Sequence, residues 1–147
     1  MSEAKKPVLE VRNLSVRLPK GGDRVHAVEK VSFTVNPGEI VCLVGESGSG
    51  KSVTAFAVMG ILDAAGEVTS GRAQFGGQDL LALPERELAE LRGRELSMIF
   101  QNPRTALNPI RRVGQQIADV LVRHGGATRA DAPAKAIEIG RASCRER

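Results

Sequence analysis

Hydrophobic and polar residues alternate over the first part of the chain, which is the pattern of half-buried β-strands. The alternation covers Val8–Leu18, with one phase break near Arg12–Asn13 that predicts a β-bulge, and it returns over Val31–Val35. Ile40–Val44 is apolar at every position, as expected of a central strand that is covered on both faces. Cys42 lies within this run, so we expect it to be a small buried hydrophobic residue.

The remaining chain favours helices, although two short stretches still favour strands. We predict helices over Val53–Met59, Pro84–Leu91, Val113–Val122 and Ala130–Ile139, and the helical spacing of apolar residues is clearest in the third of these. We predict strands over Gly71–Phe75 and Leu96–Phe100. This mixture of strands and helices predicts an α/β fold.

A loop rich in glycine and serine separates Ile40–Val44 from the first predicted helix. It matches the phosphate-binding pattern G-x-x-x-x-G-K-[ST] at every fixed position, and its residues are Gly45, Glu46, Ser47, Gly48, Ser49, Gly50, Lys51 and Ser52. Glycine lets backbone N–H groups approach phosphate oxygens closely, and the N-terminus of the following helix directs further N–H groups at the same anion. Lys51 would place its ammonium group on the β- and γ-phosphates, while the hydroxyl group of Ser52 would ligate Mg²⁺.

A flexible Gly/Ser linker is the alternative explanation of this loop. The pattern arises by chance in on the order of one chain per hundred of this size. The apolar strand before Gly45 and the apolar helix after Ser52 provide the strand–loop–helix setting that the pattern requires, so the sequence favours nucleotide binding. The loop alone leaves open whether the protein is an ABC ATPase, a GTPase, a kinase or a helicase.

Composition and charge narrow the class of protein further. The 147 residues fit one domain or a fragment of a larger one, and 41% hydrophobic with 26% charged residues fit a soluble globular chain. The net charge of +4 is dispersed among acidic residues, and Trp and Tyr are absent, so we expect no nucleic-acid partner. The apolar runs are too short to span a bilayer and the N-terminus lacks the apolar core of a secretory signal, so we expect a cytoplasmic location.

A second motif distinguishes among the nucleotide-binding families. Ser97–Pro103 reads Ser-Met-Ile-Phe-Gln-Asn-Pro, and together with the following Ala106–Pro109 it resembles the Q-loop of ABC ATPases. The resemblance is strongest to the subgroup that serves oligopeptide, dipeptide and nickel importers, and it extends from about Val8 to about Ile137. It includes Val53, which follows the serine of the phosphate-binding loop and would join its nucleotide contacts.

The resemblance implies further site residues. Gln101 would reach Mg²⁺ and the attacking water when the site closes, and its loop would relay this closure to the membrane subunits. Family members stack an aromatic residue on adenine after the first strand, but the matching position here is Leu18, which offers apolar cover without stacking. His26 lies nearby as a substitute, although a surface or turn histidine is the simpler interpretation.

For a full-length parent protein, the resemblance implies a P-loop NTPase core of the ABC ATPase type, with an N-terminal antiparallel β-subdomain and the start of a helical subdomain. The implied function is binding and hydrolysis of ATP with Mg²⁺, coupled to uptake of peptides or similar solutes at the cytoplasmic face of the membrane. The implied partners are transmembrane permease subunits, a second ATP-binding subunit in a homo- or heterodimer and, indirectly, a periplasmic or extracellular solute-binding protein. The rival function is a non-transport ABC ATPase of DNA repair or translation, which would need large insertions that this sequence lacks.

Three motifs that the family requires for hydrolysis do not follow Gln101: the Leu-Ser-Gly-Gly-Gln signature, a Walker B strand ending in Asp-Glu, and a switch histidine. His124 precedes the expected signature, and we interpret it as a helix-end histidine. We therefore expect a truncated chain that is inactive alone, with an N-terminal tail at 1–7, a partial nucleotide-binding domain at 8–138 and a non-native tail at 139–147. The tail, which contains Cys144, matches the translation of a common sequencing adapter in one frame; a native basic tail is the alternative. A fragment without a stable fold is a further hypothesis.

Overall fold

The computed structural model describes residues 6–17, 25–63, 66–102 and 106–145. In chain order its elements are β1 (Leu9–Arg17), β2 (His26–Val35), α1 (Lys51–Met59), β3 (Glu67–Phe75), β4 (Gln78–Asp79), α2 (Glu85–Leu91), α3 (Val113–His124) and α4 (Ala132–Arg145). The chain divides into two compact units, Met1–Ala89 and Glu90–Arg147. The first unit contains the four strands and α1, and the second contains α3 and α4.

The strands of the first unit form one antiparallel sheet with the order β2-β1-β3-β4. β1 pairs on both sides, so that Leu9 lies opposite Val35 of β2 and opposite Phe75 of β3. β2 and β3 both begin earlier in the chain than the alternating pattern predicted, because pairing with β1 extends them to His26 and Glu67. The predicted N-terminal antiparallel β-subdomain is therefore confirmed.

The predicted bulge near Arg12–Asn13 is present in β1. The register with β2 shifts between Val11 and Leu14, and Asn13 has a φ of 49°, in the left-handed region that asparagine tolerates better than most residues. The backbone N–H of Asn13 donates a hydrogen bond to Ser32 Oγ at 2.8 Å. The bulged amide is thus satisfied by a side chain of the neighbouring strand.

One face of the sheet carries the core of the first unit. Val11, Leu14 and Val16 of β1 are fully buried, because the bulge keeps these apolar positions on the inner face. α1 packs against β1 and β2 and buries Ala57 and Val58. The sheet therefore supports the helix that follows the phosphate-binding loop.

Two predicted strands, Ile40–Val44 and Leu96–Phe100, are wrong. Within the described residues neither segment joins the sheet, and the second has only an isolated bridge between Arg92 and Leu96. A strand needs a neighbour that pairs with it over several residues, and in the described part of the chain neither segment is paired in this way.

Most side chains of these two segments are correspondingly exposed to solvent, although Leu96 and Met98 are half-buried. Ile40 is 90% exposed, Val44 is 94% exposed and Ile99 is 97% exposed. Cys42 is an exposed free cysteine, so its predicted burial is also wrong, because that burial depended on strands packed on both sides of it. Both segments keep the apolar sequence of a buried strand without the cover that such a strand requires.

The second unit is built around the packing of α3 against α4. Its small core consists of Ala118, Ala127, Ala132 and Ala136, with Ile117, Leu121 and Val122 packed against them. In the turn before α4, Thr128 Oγ1 donates to Asp131 Oδ2 at 2.6 Å and accepts from the backbone N–H of Asp131 at 3.2 Å. The predicted pair of helices at this end of the chain is confirmed.

Helix ends differ from their predicted positions by a few residues. α1 begins at Lys51, two residues before the predicted start at Val53, and α4 extends to Arg145. His124 is the last residue of α3, as predicted, and its half-buried ring lies close to Gly93. The side chain of Cys144 lies outside the described part of the chain, and the non-native origin of 139–147 stays a prediction.

No helix among the described residues combines the length and the hydropathy needed to span a bilayer.

Candidate functional site

The phosphate-binding loop joins Ile40–Val44 to α1, and two of its glycines adopt left-handed conformations. Gly48 has a φ of 81° and Gly50 has a φ of 92°. The backbone N–H of Ser49 donates to Glu46 O at 3.2 Å, which closes a turn within the loop. Glycine adopts these conformations without the steric cost that a side chain would add.

The N-terminus of α1 offers unused backbone donors. Gly50 is the N-cap and provides no side-chain hydrogen bond, and the first bond within the helix runs from Thr54 N to Gly50 O at 2.8 Å. The N–H groups of Lys51, Ser52 and Val53 therefore precede the hydrogen-bonded ladder of the helix. Together with the positive end of the helix dipole, they form a binding site for an anion.

The side chain of Lys51 bends back over the loop. Its Nζ donates to Gly45 O at 2.7 Å, to Glu46 O at 2.7 Å and to Ser49 Oγ at 3.2 Å. A lysine ammonium group has three hydrogens, and all three have acceptors here. The positive charge is thereby held against the backbone of the loop.

The two residues after Lys51 have different surroundings. Ser52 is exposed in the first turn of α1, so its hydroxyl group is accessible to a metal ion bound beside the phosphates, whereas Val53 is half-buried. Among the described residues no cluster of three His, Cys, Asp or Glu side chains could hold a metal ion. Mg²⁺ in nucleotide sites is commonly held by a few protein oxygens together with phosphate and water oxygens, and the exposed hydroxyl group of Ser52 could supply one of the protein oxygens.

The predicted site residues fall into three groups. Gly45, Glu46, Ser47, Gly48, Ser49, Gly50, Lys51, Ser52 and Val53 are brought together in the first unit. Gln101 belongs to the second unit, where it is exposed in a bend. Leu18, the predicted cover for adenine, lies outside the described residues; His26, its suggested substitute, is half-buried at the start of β2.

Sequence reasoning missed the contacts that hold the loop in place. A Cβ atom on Gly50 would lie 2.4 Å from Ala27 O and 3.0 Å from Val28 Cγ2, so β2 lies directly against this glycine. The hydroxyl group of the buried Thr54 donates to Gly50 O at 3.0 Å. The only indication in the sequence was a polar residue inside the otherwise apolar stretch Val53–Met59.

Comparison with protein families gives a match to the ABC transporter family over residues 28–143. The chain is 50% identical over 125 residues to the oligopeptide transport ATP-binding protein OppD of Salmonella typhimurium, covering 85% of this chain and 37% of that protein. It is 47% identical over 134 residues to the peptidoglycan transport ATP-binding protein YejF of Agrobacterium fabrum, covering 90% of this chain and 24% of that protein. The chain thus spans well under half the length of these curated relatives.

Solved structures support the fold. A dimeric ATP-binding cassette in a post-hydrolysis state with ADP and Pi bound superposes with a TM-score of 0.71 at 22% identity, covering 88% of this chain and 54% of that one. A second dimeric structure of a bacterial ABC transporter cassette matches equally well. The predicted fold class, an α/β P-loop core of the ABC ATPase type with an antiparallel β-subdomain, is confirmed.

Proposed function

The chain belongs to the ABC transporter family, and from this premise we propose that it is the nucleotide-binding part of an importer's ATP-binding subunit, which couples ATP hydrolysis to uptake of peptides or similar solutes. The observation that carries the proposal is the convergence of a fixed ammonium group and three unused backbone N–H groups at the start of α1. That arrangement suits the phosphate chain of a nucleotide better than a neutral ligand. The names of the transport relatives support the kind of solute.

Lys51 and the loop would act on the phosphates by position and charge. The Nζ of Lys51 already contacts the loop through Gly45 O and Glu46 O, and a β- or γ-phosphate oxygen would replace one of these carbonyl acceptors. The N–H groups at the start of α1 would donate to the same phosphates. A hydrogen bond from the ammonium group to a phosphate oxygen joins two charged groups, so it is stronger than the bond to a neutral carbonyl oxygen that it would replace.

We further propose that Ser52 and Gln101 take part in holding a Mg²⁺ ion, which would help to neutralise the negative charge of the nucleotide phosphates. The exposed hydroxyl group of Ser52 would provide one oxygen ligand. Gln101 would provide an amide oxygen to the ion or accept a hydrogen bond from the attacking water, which a glutamine side chain is able to do. Leu18 would cover the adenine base by apolar contact.

The partners follow from the same proposal. The parent protein would pair with a second ATP-binding subunit, homo- or heterodimeric, and would dock on transmembrane permease subunits at the cytoplasmic face of the membrane. A periplasmic or extracellular solute-binding protein would deliver the solute to the permease. The dimeric cassettes among the similar structures support the pairing.

Transport by the reconstituted parent complex tests this proposal. We expect ATP-dependent accumulation of a labelled oligopeptide or dipeptide in proteoliposomes, and its loss in Lys51→Ala, because this variant lacks the ammonium group that meets the phosphates. Lys135→Ala removes the same charge from an exposed position of α4 and serves as the control. ATP hydrolysis without uptake of any peptide would contradict the transport function and favour a non-transport ABC ATPase.

A further inference from the structure

We propose that Thr54 is a positioning residue for nucleotide binding, whose hydroxyl group fixes the Gly50–Lys51 peptide so that the Lys51 N–H faces the phosphates. This inference rests on the proposed nucleotide-binding function. Thr54 touches no predicted phosphate position itself; it acts through the backbone of the loop.

The surroundings of Thr54 are unusual for a polar side chain. It is only 3% exposed, within the helix face that packs against the sheet. Its Oγ1 donates to Gly50 O at 3.0 Å, and its backbone N–H donates to the same oxygen at 2.8 Å. Both acceptor directions of one carbonyl oxygen are therefore occupied by a single residue.

These two hydrogen bonds set the direction of the next amide. In a planar trans peptide the N–H points opposite to the C=O. When Thr54 holds Gly50 O along the helix axis, the N–H of Lys51 is directed out of the N-terminus of α1, toward the anion site. A second donor on Gly50 O narrows the range of orientations that this peptide can adopt.

Gly50 needs such a restraint because a glycine has little conformational preference of its own. Its φ of 92° lies in the left-handed region, which a glycine reaches as readily as other regions because it has no Cβ. Ala27 and Val28 of β2 limit the position of its Cα atom, since any added Cβ would lie 2.4 Å from Ala27 O. β2 thus restrains one side of Gly50, and Thr54 restrains the carbonyl on the other.

A purely structural role of Thr54 predicts a different ranking of variants. Thr54→Val keeps the shape of the side chain and removes the hydroxyl group, whereas Thr54→Ser keeps the hydroxyl group and removes a buried methyl. If Thr54 only fills space, Thr54→Ser is the more harmful change. If its hydroxyl group positions the peptide, Thr54→Val is the more harmful change for nucleotide affinity.

We expect Thr54→Val to remain folded, because Gly50 O retains its hydrogen bond from the backbone N–H of residue 54. No buried carbonyl is left without a donor, and valine and threonine have similar helix propensities. The hydroxyl-to-carbonyl bond of a threonine within a helix also contributes little to the helix itself. Thermal unfolding of each variant checks this point directly.

The test is equilibrium binding of ATP to the full-length parent protein and its two variants. We expect Thr54→Val to raise the dissociation constant about threefold to tenfold, which corresponds to about 0.7–1.4 kcal/mol. We expect the dissociation constant of Thr54→Ser to stay within about twofold of the wild-type value, because this variant retains the hydroxyl group. The loss expected for Thr54→Val is about the size of one hydrogen bond, so the hydroxyl group accounts for it and the buried methyl does not. Unchanged affinity in Thr54→Val, or a larger loss in Thr54→Ser, overturns the inference while leaving the proposed function intact. Failure of the wild-type protein to bind ATP refutes the proposed function, and the inference with it.

Discussion

Replacing one glycine of the phosphate-binding loop by alanine tests how closely β2 holds this loop. Gly48 and Gly50 both have left-handed φ values, 81° and 92°, but their surroundings differ. A Cβ on Gly48 would meet nothing within 4 Å, whereas a Cβ on Gly50 would lie 2.4 Å from Ala27 O. The two substitutions therefore share a conformational cost, and only Gly50→Ala adds a steric cost.

The shared cost is conformational, because an alanine in the left-handed region is about 1–2 kcal/mol less favourable than a glycine. Gly50→Ala adds a steric cost, because Ala27 O belongs to a paired strand and cannot move away as a flexible side chain would. Overpacking of a buried site costs about 1–3 kcal/mol. We therefore expect Gly50→Ala to lower the free energy of unfolding by about 1–3 kcal/mol more than Gly48→Ala does.

Urea denaturation of the full-length parent protein measures this difference, provided that nucleotide is absent, since bound nucleotide would stabilise the native state by mass action. Gly48→Ala is the matched control, because it makes the same chemical change in the same loop. Equal losses of stability in the two variants would refute the reasoning, since they would mean that β2 does not restrict Gly50.

Three further predictions concern the metal ion, the water and the exposed apolar segments. Ser52→Ala in the parent protein should gain less ATP affinity from Mg²⁺ than the wild type does, because one oxygen ligand of the ion is lost; an equal gain from Mg²⁺ in both proteins, measured by titration calorimetry against EDTA controls, would contradict this role. Gln101→Ala should retain ATP affinity but lose at least tenfold in ATP turnover in a phosphate-release assay. Turnover equal to that of the wild type would rule out a role of this glutamine in orienting the attacking water. The 147-residue chain by itself should bind a dye that fluoresces on apolar surface, because Ile40 and Val44 are 90% and 94% exposed. Ile40→Thr or Val44→Thr should reduce the fluorescence of the dye. If the unmodified chain binds no dye, the exposure of these side chains is contradicted.

The parts of the structure that depend on nearby residues could be predicted from the sequence. The alternation over Val8–Leu18 predicted both β1 and its bulge, and the glycine-rich loop predicted that a helix would start beside Lys51. In each case the determining interactions join residues close in the chain or follow a strict period of two. The same holds only in part for α3: Ile117 and Leu121 of its apolar spacing pack against the core of the second unit, whereas Val113 and Val120 are exposed.

The parts that depend on distant residues could not be predicted. The burial of Cys42 and the strand at Ile40–Val44 require neighbouring strands, which the apolar composition of the segment implies but does not supply. The contact between Ala27 and Gly50 joins residues far apart in the chain, and it depends on where α1 packs against β2. The bond from Thr54 to Gly50 O is local, but its importance becomes visible only when Thr54 is known to be buried.

The most direct test of the account is equilibrium binding of ATP to the full-length parent protein, measured for wild type, Lys51→Ala and Lys135→Ala. Both variants lose one positive charge, but only Lys51 has its ammonium group fixed over Gly45 O and Glu46 O at the start of α1. Removal of a charge-assisted hydrogen bond costs about 1.5–3 kcal/mol, so we expect Lys51→Ala to weaken ATP binding by roughly tenfold to a hundredfold. Lys135→Ala should bind ATP as wild type does. Equal affinities in all three proteins would contradict the claim that this loop is the nucleotide site.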